Sequence, residues 1–349
     1  MTKRIFILVI MSFMLVTTVT ACGGNGDSLS GGNSDSLSSG NGTAQTTESN
    51  NGSDSGGSPI PSEPSESNNG SDNGGNPISS QPSESNNVTA PQVRETSYSL
   101  SNIVIEDNEN CTFTISSVED NGFWGLTLKV FCENKTDFDL MFSWGNVSVN
   151  GYMIDPFWAI EIAAGEKSND EISFTDWALD RCSIYSADEI VFTLNVYDSN
   201  DWLSGWRVRN DSVVYPTGLD ANSIKYPARV STASEQIIVD IESCSFIISS
   251  VDTDGLLGYT LTCYLENKSL TPLMFSWDNV SVNGFMVNAL LATIVQPGKC
   301  SYSDIYILNS KLEENGISNV EEIEFKLTIY DSDNWSAPDV VSETFIYKP

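Results

Sequence analysis

The sequence predicts an all-β protein in which two tandem antiparallel β-sandwiches follow a disordered segment. The first observation is a near repeat, because MFSWGNVSVNGYM at residues 141–153 returns as MFSWDNVSVNGFM at residues 274–286. The second is that apolar residues recur at every other position within each copy, which is typical of half-buried strands. The third is the spacing of turn-forming residues, which divide each copy into about seven short strands.

The chain begins with the layout of an export signal. Lys3 and Arg4 precede an apolar run over residues 5–16, and small residues lead from there to Cys22. The run is shorter than the roughly 20 residues that a membrane-spanning helix needs, so we predict a signal peptide over residues 1–21. An uncleaved N-terminal anchor is the alternative. Both interpretations place the rest of the chain outside the cytoplasm.

Val19-Thr20-Ala21-Cys22, directly after this run, resembles the lipobox of bacterial lipoproteins. In that family the cysteine thiol receives a diacylglyceryl group, and the cysteine becomes the first residue of the mature protein. The resemblance implies that Cys22 is the lipidation site. Two acyl chains would then anchor the protein stably at the cell membrane, facing outside the cytoplasm.

Residues 22–97 are predicted to form a disordered tether rich in Ser, Gly, Asn and Pro. No Lys or Arg stands between Arg4 and Arg94, and PIPSEPSESNNG at residue 59 is echoed by PISSQPSESNNV at residue 77. A segment so poor in apolar residues cannot bury enough surface to offset the entropy of ordering it. We therefore expect a stalk that holds the folded part away from the membrane.

The composition excludes several classes of function. The 47 acidic and 16 basic residues give a formal net charge of −31, which repels phosphate backbones and makes nucleic acid a poor partner. Histidine is absent, which removes Ser-His-Asp and Cys-His catalysis and the commonest metal ligand. An enzyme of this composition would have to work through carboxylates, Lys, Tyr or Cys; we expect no enzymatic activity and no cofactor.

The folded part is a duplication. Residues 111–202 align with residues 244–335 at one constant offset without a gap, and about 40 of roughly 90 positions are identical. The sequence therefore predicts one sandwich over residues 98–216, a linker over 217–232 and a second sandwich over 233–349. Each copy is large enough to bury a core of its own.

The alternation within a copy predicts the individual strands. CTFTISSV at residue 111 and LTLKVFC at residue 126 predict a hairpin with a turn at residues 120–122. Asn150-Gly151 and Asn283-Gly284 favour a type I′ turn, because both residues of that turn need a positive φ. EIVFTLNVYD and EIEFKLTIYD predict a late strand, whereas SFTDWALDRCSI and LNSKLEENGI indicate short helical turns.

The overall pattern resembles the immunoglobulin-like domains of lipoproteins from Gram-positive bacteria. Three features carry the resemblance: the polar break at residues 133–136, the Gly-Glu-Lys turn at residues 165–167, and the late strand at residues 192–198, each with a counterpart in the second copy. Many such families have no assigned activity. The resemblance therefore implies an immunoglobulin-like fold and an extracytoplasmic location, and it implies little about function.

The cysteines of the two copies match only in part. Cys111 and Cys132 are expected on facing inward positions of the first hairpin, and Cys244 and Cys263 are their displaced counterparts. An extracytoplasmic location permits a disulfide within each pair, and buried free thiols are the alternative. Cys182 and Cys300 have no equivalents and are expected to be free. No Cys-x-x-Cys spacing predicts a metal site.

The aromatic residues differ most between the copies. Trp144 and Trp202 recur as Trp277 and Trp335 and are predicted to be core residues. Trp124, Trp158 and Trp177 occur only in the first copy and are the candidate ligand-binding residues, because rigid rings gain contact area at low entropic cost. Trp177 is the strongest candidate, since its counterpart is Ser310. The alternative places all three in or near the core.

Two functional classes remain open. The leading hypothesis is a lipid-anchored, non-catalytic binding or adhesion module whose partner is a protein or glycan at the cell surface. The alternative is an accessory subunit of an envelope sensor or transporter complex that contacts a partner protein through its first domain. The acidic turns YDSNDW at residue 197 and YDSDNW at residue 330 have alternating acids, as calcium loops do, but an ordinary polar turn explains them as well.

Overall fold

The computed structural model describes residues 97–203 and 205–349. The predicted signal peptide, the lipidation site Cys22 and the tether lie outside the described residues. The strands of the first copy are β1 (Ser101–Asp107), β2 (Cys111–Gly122), β3 (Gly125–Asn134), β4 (Leu140–Val149), β5 (Tyr152–Met153), β6 (Ala159–Ile162), β7 (Lys167–Thr175), β8 (Ile190–Asp198) and β9 (Arg207–Val214).

The second copy repeats this order. Its strands are β10 (Gln236–Asp240), β11 (Cys244–Gly255), β12 (Gly258–Asn267), β13 (Leu273–Val282), β14 (Phe285–Met286), β15 (Leu291–Val295), β16 (Cys300–Ile307), β17 (Ile323–Asp331) and β18 (Val341–Tyr347). The two predicted helical turns are confirmed as α1 (Asp176–Arg181) and α2 (Asn309–Glu314). A 3-10 turn at Ala221–Ser223 lies between the copies.

Each copy is an antiparallel sandwich of the immunoglobulin-like kind, which confirms the predicted fold class. In the first copy β1, β2, β3 and β7 form one sheet in that order, and β4, β8 and β9 form the other, with β5 and β6 beside β4. Strands β2, β3 and β7 thus take the places of immunoglobulin strands A, B and E, and β4, β8 and β9 those of C, F and G. The second copy repeats both sheets.

The predicted alternation places the core. Cys111, Phe113 and Ile115 on β2 are fully buried, as is the inward face of β3. Trp144 on β4 lies buried against Phe192, with ring centroids 3.8 Å apart, and Trp277 is buried at the equivalent point of the second copy. The apolar face of each sheet therefore packs on its partner sheet, as the period of two requires.

The repeated hairpin is confirmed, and it has two roles. Asn150 and Gly151 have φ values of 45° and 85°, as a type I′ turn requires, and Asn283 and Gly284 repeat them at 49° and 83°. The Asn150 side chain also donates to Ser186 O at 2.6 Å and accepts from the backbone N–H of Glu189 at 3.0 Å. The asparagine therefore both turns the hairpin and fastens it to the start of β8.

The predicted turn at residues 120–122 is wrong by two residues. Strand β2 continues to Gly122 and pairs there with Gly125, so Phe123 and Trp124 form the turn. Two register irregularities within this hairpin, near Ile115 and after Glu119, shift the pairing. A turn position derived from simple alternation cannot include such bulges, because each one inserts an unpaired residue.

The shifted register also changes the cysteine prediction. Cys111 lies opposite Asn134 and Cys132 opposite Phe113, so Cys111 and Cys132 are not the facing pair that the sequence suggested. In the second copy Cys244 lies opposite Asn267, and Cys263 lies opposite Ile248. All six described cysteines are free thiols. Burial raises the pKa of Cys111 to about 11, so this thiol stays protonated and unreactive near neutral pH.

The two copies are joined edge to edge. Strand β5 of the first copy pairs in parallel with β16 of the second through Tyr152 and Cys300, and Cys300 N donates to Gly151 O at 3.0 Å. One continuous sheet therefore runs through β10, β11, β12, β16, β5, β4, β8 and β9. Met153 packs against the core of the second copy, and Tyr264 of the second copy packs in the core of the first.

Candidate functional site

A cleft of about 500 Å³ opens beside the joint between the two copies. The first copy contributes Asn146, Phe157, Trp177 and Arg181 to its wall, and the second contributes Thr293 and Ser303. The site therefore exists only where the two copies meet. Its residues come from β4, from the loop after β5, from α1 and from strands β15 and β16.

Two exposed aromatic rings line one side of this cleft. Trp177 is 65% exposed, although it stands on a helix of a folded domain, and Phe157 is 76% exposed. The Trp177 ring lies 5.2 Å from the Arg181 guanidinium carbon, which fixes the ring from one face. The other parts of both rings remain open to solvent and can contact a ligand.

The backbone at Phe157 is strained. Its φ of 50° lies in the left-handed region, which bulky residues rarely enter, at a cost of about 1–3 kcal/mol. The Asp155 carboxylate holds this conformation by accepting a hydrogen bond from Phe157 N at 2.7 Å. In the second copy the corresponding residues are Asn288 and Leu290, and neither has a positive φ. The strained aromatic residue is therefore specific to the first copy, where it faces the cleft.

A buried ion pair lies beside the cleft, and its arginine, Arg181, is part of the cleft wall. The Arg181 guanidinium donates two hydrogen bonds to the Asp304 carboxylate, at 2.9 and 2.7 Å, and both side chains are mostly buried. Arg181 also lies 5.3 Å from the centroid of the Tyr302 ring. This bidentate pair joins α1 of the first copy to β16 of the second, and it sets the orientation of Trp177.

Polar groups complete the lining, and apart from the Asp155 carboxylate and the paired Arg181 they are neutral. The Thr293 and Ser303 hydroxyl oxygens lie 3.0 Å apart, and Gln296 Nε2 donates to Asn146 Oδ1 across the joint at 3.0 Å. The cleft thus combines two flat apolar rings with hydroxyl and amide groups. This combination fits a ligand that has both apolar faces and hydroxyl groups.

A second cleft, of about 410 Å³, is lined by the linker and Lys299. Lys299 Nζ lies 3.2 Å from the Glu189 carboxylate and donates to the Tyr226 hydroxyl, also at 3.2 Å. Burial and the hydrogen bond to Glu189 hold the pKa of Tyr226 well above its usual range. The polar groups of this cleft already bond to one another across the joint. The cleft beside Trp177 is therefore the better candidate for a ligand.

The structure separates the three candidate tryptophans. Trp177 lies in the cleft, as a contact residue must. Trp124 is exposed at the β2–β3 turn, where it contacts Phe123 with ring centroids 4.8 Å apart. Trp158 is only 7% exposed, packs on Phe113 and donates from Nε1 to Asp170 at 3.1 Å. The prediction that Trp158 binds a ligand is therefore wrong, because its ring belongs to the core.

Two further sequence expectations are corrected or explained. Trp202 and Trp335 are exposed, so their retention in both copies does not reflect core packing as predicted. The acidic turns use their first carboxylate locally, since Asp198 accepts from Asn200 N and Asp331 from Asp333 N. Among residues 97–203 and 205–349, no three His, Cys, Asp or Glu side chains are grouped so that they could hold a metal ion.

Phe157 is the cleft residue that sequence reasoning missed. The sequence feature that could have identified it is the Asp155-Pro156 dipeptide. An aspartate followed by proline favours a turn in which the aspartate carboxylate accepts a hydrogen bond from the backbone N–H two residues later. Arg181 and Asp304 were missed for a different reason. They lie 123 positions apart, and the gapless alignment matches Arg181 with Glu314, so no pattern within one copy indicates their pairing.

Comparisons with known proteins leave the family open. No family model matches the chain, and no curated protein matches it. One similar structure is the SafA pilin of Salmonella enterica in complex with the SafB chaperone, at 10% identity and a TM-score of 0.22, covering 70% of this chain and 98% of that chain. Another is a protein of unknown function from Porphyromonas gingivalis W83, at 15% identity and a TM-score of 0.19, with the same coverage.

The described helices are short. Within the part of the chain that the structure describes, none has both the length and the apolar character needed to cross a bilayer.

Proposed function

We propose that this chain is a non-catalytic binding module, anchored in the cell membrane through lipidated Cys22 and facing outside the cytoplasm. The cleft between its two sandwiches would take a neutral carbohydrate segment. The single observation that carries this proposal is the pair of exposed rings, Trp177 and Phe157, held over a cleft lined with hydroxyl and amide groups.

The chemistry of the cleft favours sugar over other ligands. A sugar ring presents an apolar C–H face that packs on an aromatic ring, while its hydroxyl groups need polar partners such as Thr293 and Ser303. The only guanidinium among the cleft residues described above, that of Arg181, is already neutralised by Asp304. The net charge of −31 also repels anionic ligands. A neutral glycan has an apolar face for the rings, hydroxyl groups for the polar side chains and no negative charge that the chain would repel.

The test is binding of neutral oligosaccharides to the full chain, first on a glycan array and then by calorimetric titration. Trp177→Ala should weaken the binding of the selected glycan by at least tenfold, or about 1.4 kcal/mol, because the stacking surface is lost. Trp335→Ala is the matched control, since Trp335 is an exposed tryptophan outside the cleft. Equal affinities of wild type and the Trp177 variant, or no glycan bound, would reject the proposal.

The alternative is an accessory subunit that contacts a partner protein through its first domain. One observation favours it, namely the exposed aromatic turn formed by Phe123 and Trp124. If no glycan binds, and one envelope protein instead cross-links to the full chain at Trp124, this alternative replaces the carbohydrate proposal. Exposed aromatic residues are enriched in protein interfaces, so such a turn is a suitable anchor.

A further inference from the structure

The β13–β14 hairpin of the second copy carries two exposed apolar side chains. Phe285 and Met286 on β14 are 48% and 66% exposed, respectively. Within the part of the chain that the structure describes, β14 pairs only with β13, so its outer edge is open. Core packing of the second copy does not explain why an aromatic residue and a methionine are kept here.

The equivalent hairpin of the first copy shows what these residues do. Tyr152, at the position of Phe285, is 2% exposed and stacks on Tyr302 with ring centroids 6.1 Å apart. Met153, at the position of Met286, packs against the core of the second copy. The Gly-aromatic-Met hairpin of the first copy is therefore a docking element, and the strand edge that it binds is β16.

The second hairpin keeps the features that docking needs. Gly284 repeats the positive φ of Gly151, and β14 pairs with β13 in the same register as β5 with β4. The space beside the two glycines differs. A Cβ at Gly151 would lie 2.7 Å from the Tyr226 ring, whereas a Cβ at Gly284 would have no atom within 4 Å. The second hairpin has the same shape as the first, but no described part of the chain packs on its docking surface.

A second copy of this chain does not fit the surface well. Strand β7 is the counterpart of β16, and within the described part of the chain its outer edge is open. If the β7 edge of a second copy docked on the hairpin, Glu166 would stand where Lys299 stands in the joint. It would then face Glu322, the counterpart of Glu189. Glu171 would replace Asp304 and meet Glu314, the counterpart of Arg181. Both ion pairs of the joint thus become pairs of acids, and Asn169 replaces the Tyr302 ring. Like charges at these positions oppose a chain of head-to-tail copies.

We propose that the Phe285–Met286 hairpin docks on an edge strand of a β-sandwich domain in another protein. That strand presents a basic residue to Glu322, as Lys299 does to Glu189, and an apolar ring to Phe285, as Tyr302 does to Tyr152. Among the described residues, Glu322 pairs with the exposed Lys348 at 3.2 Å and Glu314 with the exposed Lys311 at 2.8 Å. Both lysines are solvent-exposed, so a basic group on the docking strand can join or replace them, and Glu314 favours a second basic group there. The inference is independent of the carbohydrate proposal, because the hairpin is separate from the cleft.

The chain itself supplies a test partner. The triple variant Glu166→Lys, Asn169→Tyr and Glu171→Gln gives its own β7 edge the proposed complementary chemistry and leaves the hairpin unchanged. Glutamine is chosen at position 171 because a second cation would face Lys129, the present partner of Glu171. Sedimentation velocity of the full chain over a concentration series should show a monomeric wild type and concentration-dependent oligomers of the variant.

Two controls show whether the hairpin is responsible. Phe285→Ser added to the triple variant should return it to monomer. Glu242→Lys with Asp254→Asn changes the net charge by the same +3 at exposed positions outside the β7 edge, and it should leave the chain monomeric. A folded triple variant that stays monomeric overturns the proposal. A wild type that self-associates, and is dispersed by Phe285→Ser, overturns the choice of occupant.

A peptide measurement covers the case in which the triple variant does not fold. A fluorescent peptide with the sequence of residues 297–307, with Lys in place of Asp304, presents the β16 edge with a basic residue for Glu314. Its polarisation should rise saturably with the wild-type full chain, and Phe285→Ser should weaken binding at least tenfold. Equal binding to both proteins would overturn the proposal.

Discussion

At the scale of single residues, the tryptophans show how far composition can predict a site. The exposed Trp177 could be separated from the others by its replacement with Ser310, because a core position seldom tolerates such a loss of volume. Trp158 was misjudged, since Leu291 in its place is also buried and fills the same region of the second core. A conservative exchange between copies is thus weak evidence for exposure. Trp202 and Trp335 show the converse, because residues kept in both copies need not be buried.

Truncation of the two tryptophans should separate core from surface. Trp158→Ala should lower the free energy of unfolding by about 3–5 kcal/mol, because it opens a cavity beside Phe113 and leaves Asp170 without its indole donor. Trp177→Ala should lower it by less than about 1 kcal/mol, since only the contact with Arg181 is lost. Urea denaturation followed by circular dichroism measures both values. Similar losses for the two variants would contradict the assignment.

At the scale of elements, local chemistry predicted most of the hairpins and helices. The Asn-Gly turns and both helical turns could be predicted because they depend on neighbouring residues. The β2–β3 turn was misplaced because bulges change the register of a strand pair without a clear sequence signal. The pairing of β5 with β16 could not be predicted at all, since it joins residues of different copies.

Matched glycine substitutions test the different surroundings of the two repeated hairpins. Gly151→Ala and Gly284→Ala place the same side chain at φ values of 85° and 83°, so the backbone cost of about 1–2 kcal/mol is common to both. Only the first substitution meets the Tyr226 ring at 2.7 Å. We expect Gly151→Ala to lower the free energy of unfolding by at least about 1 kcal/mol more than Gly284→Ala. Equal losses in denaturant titrations would mean that Tyr226 does not pack on the first hairpin.

At the scale of the whole molecule, the differences between the copies define the joint. Arg181, Lys299 and Tyr302 hold the copies together, and their counterparts Glu314, Glu166 and Asn169 are all different in charge or kind. A duplication alone predicts two equal domains. The sites at which one copy departs from the other create the contacts, and with them the cleft that contains Trp177.

These contacts lead to the central claim, which is that the two sandwiches unfold as one unit because the joint connects them.

Differential scanning calorimetry of the full chain tests this claim most directly. Wild type should show one transition whose calorimetric and van't Hoff enthalpies agree. Arg181→Ala with Lys299→Ala should split it into two, because Asp304 and Glu189 would lose their partners across the joint. The control is Lys129→Ala with Lys135→Ala, which removes exposed ion pairs within the first copy. Two separate transitions in the wild type, unchanged in the joint variant, would contradict the account.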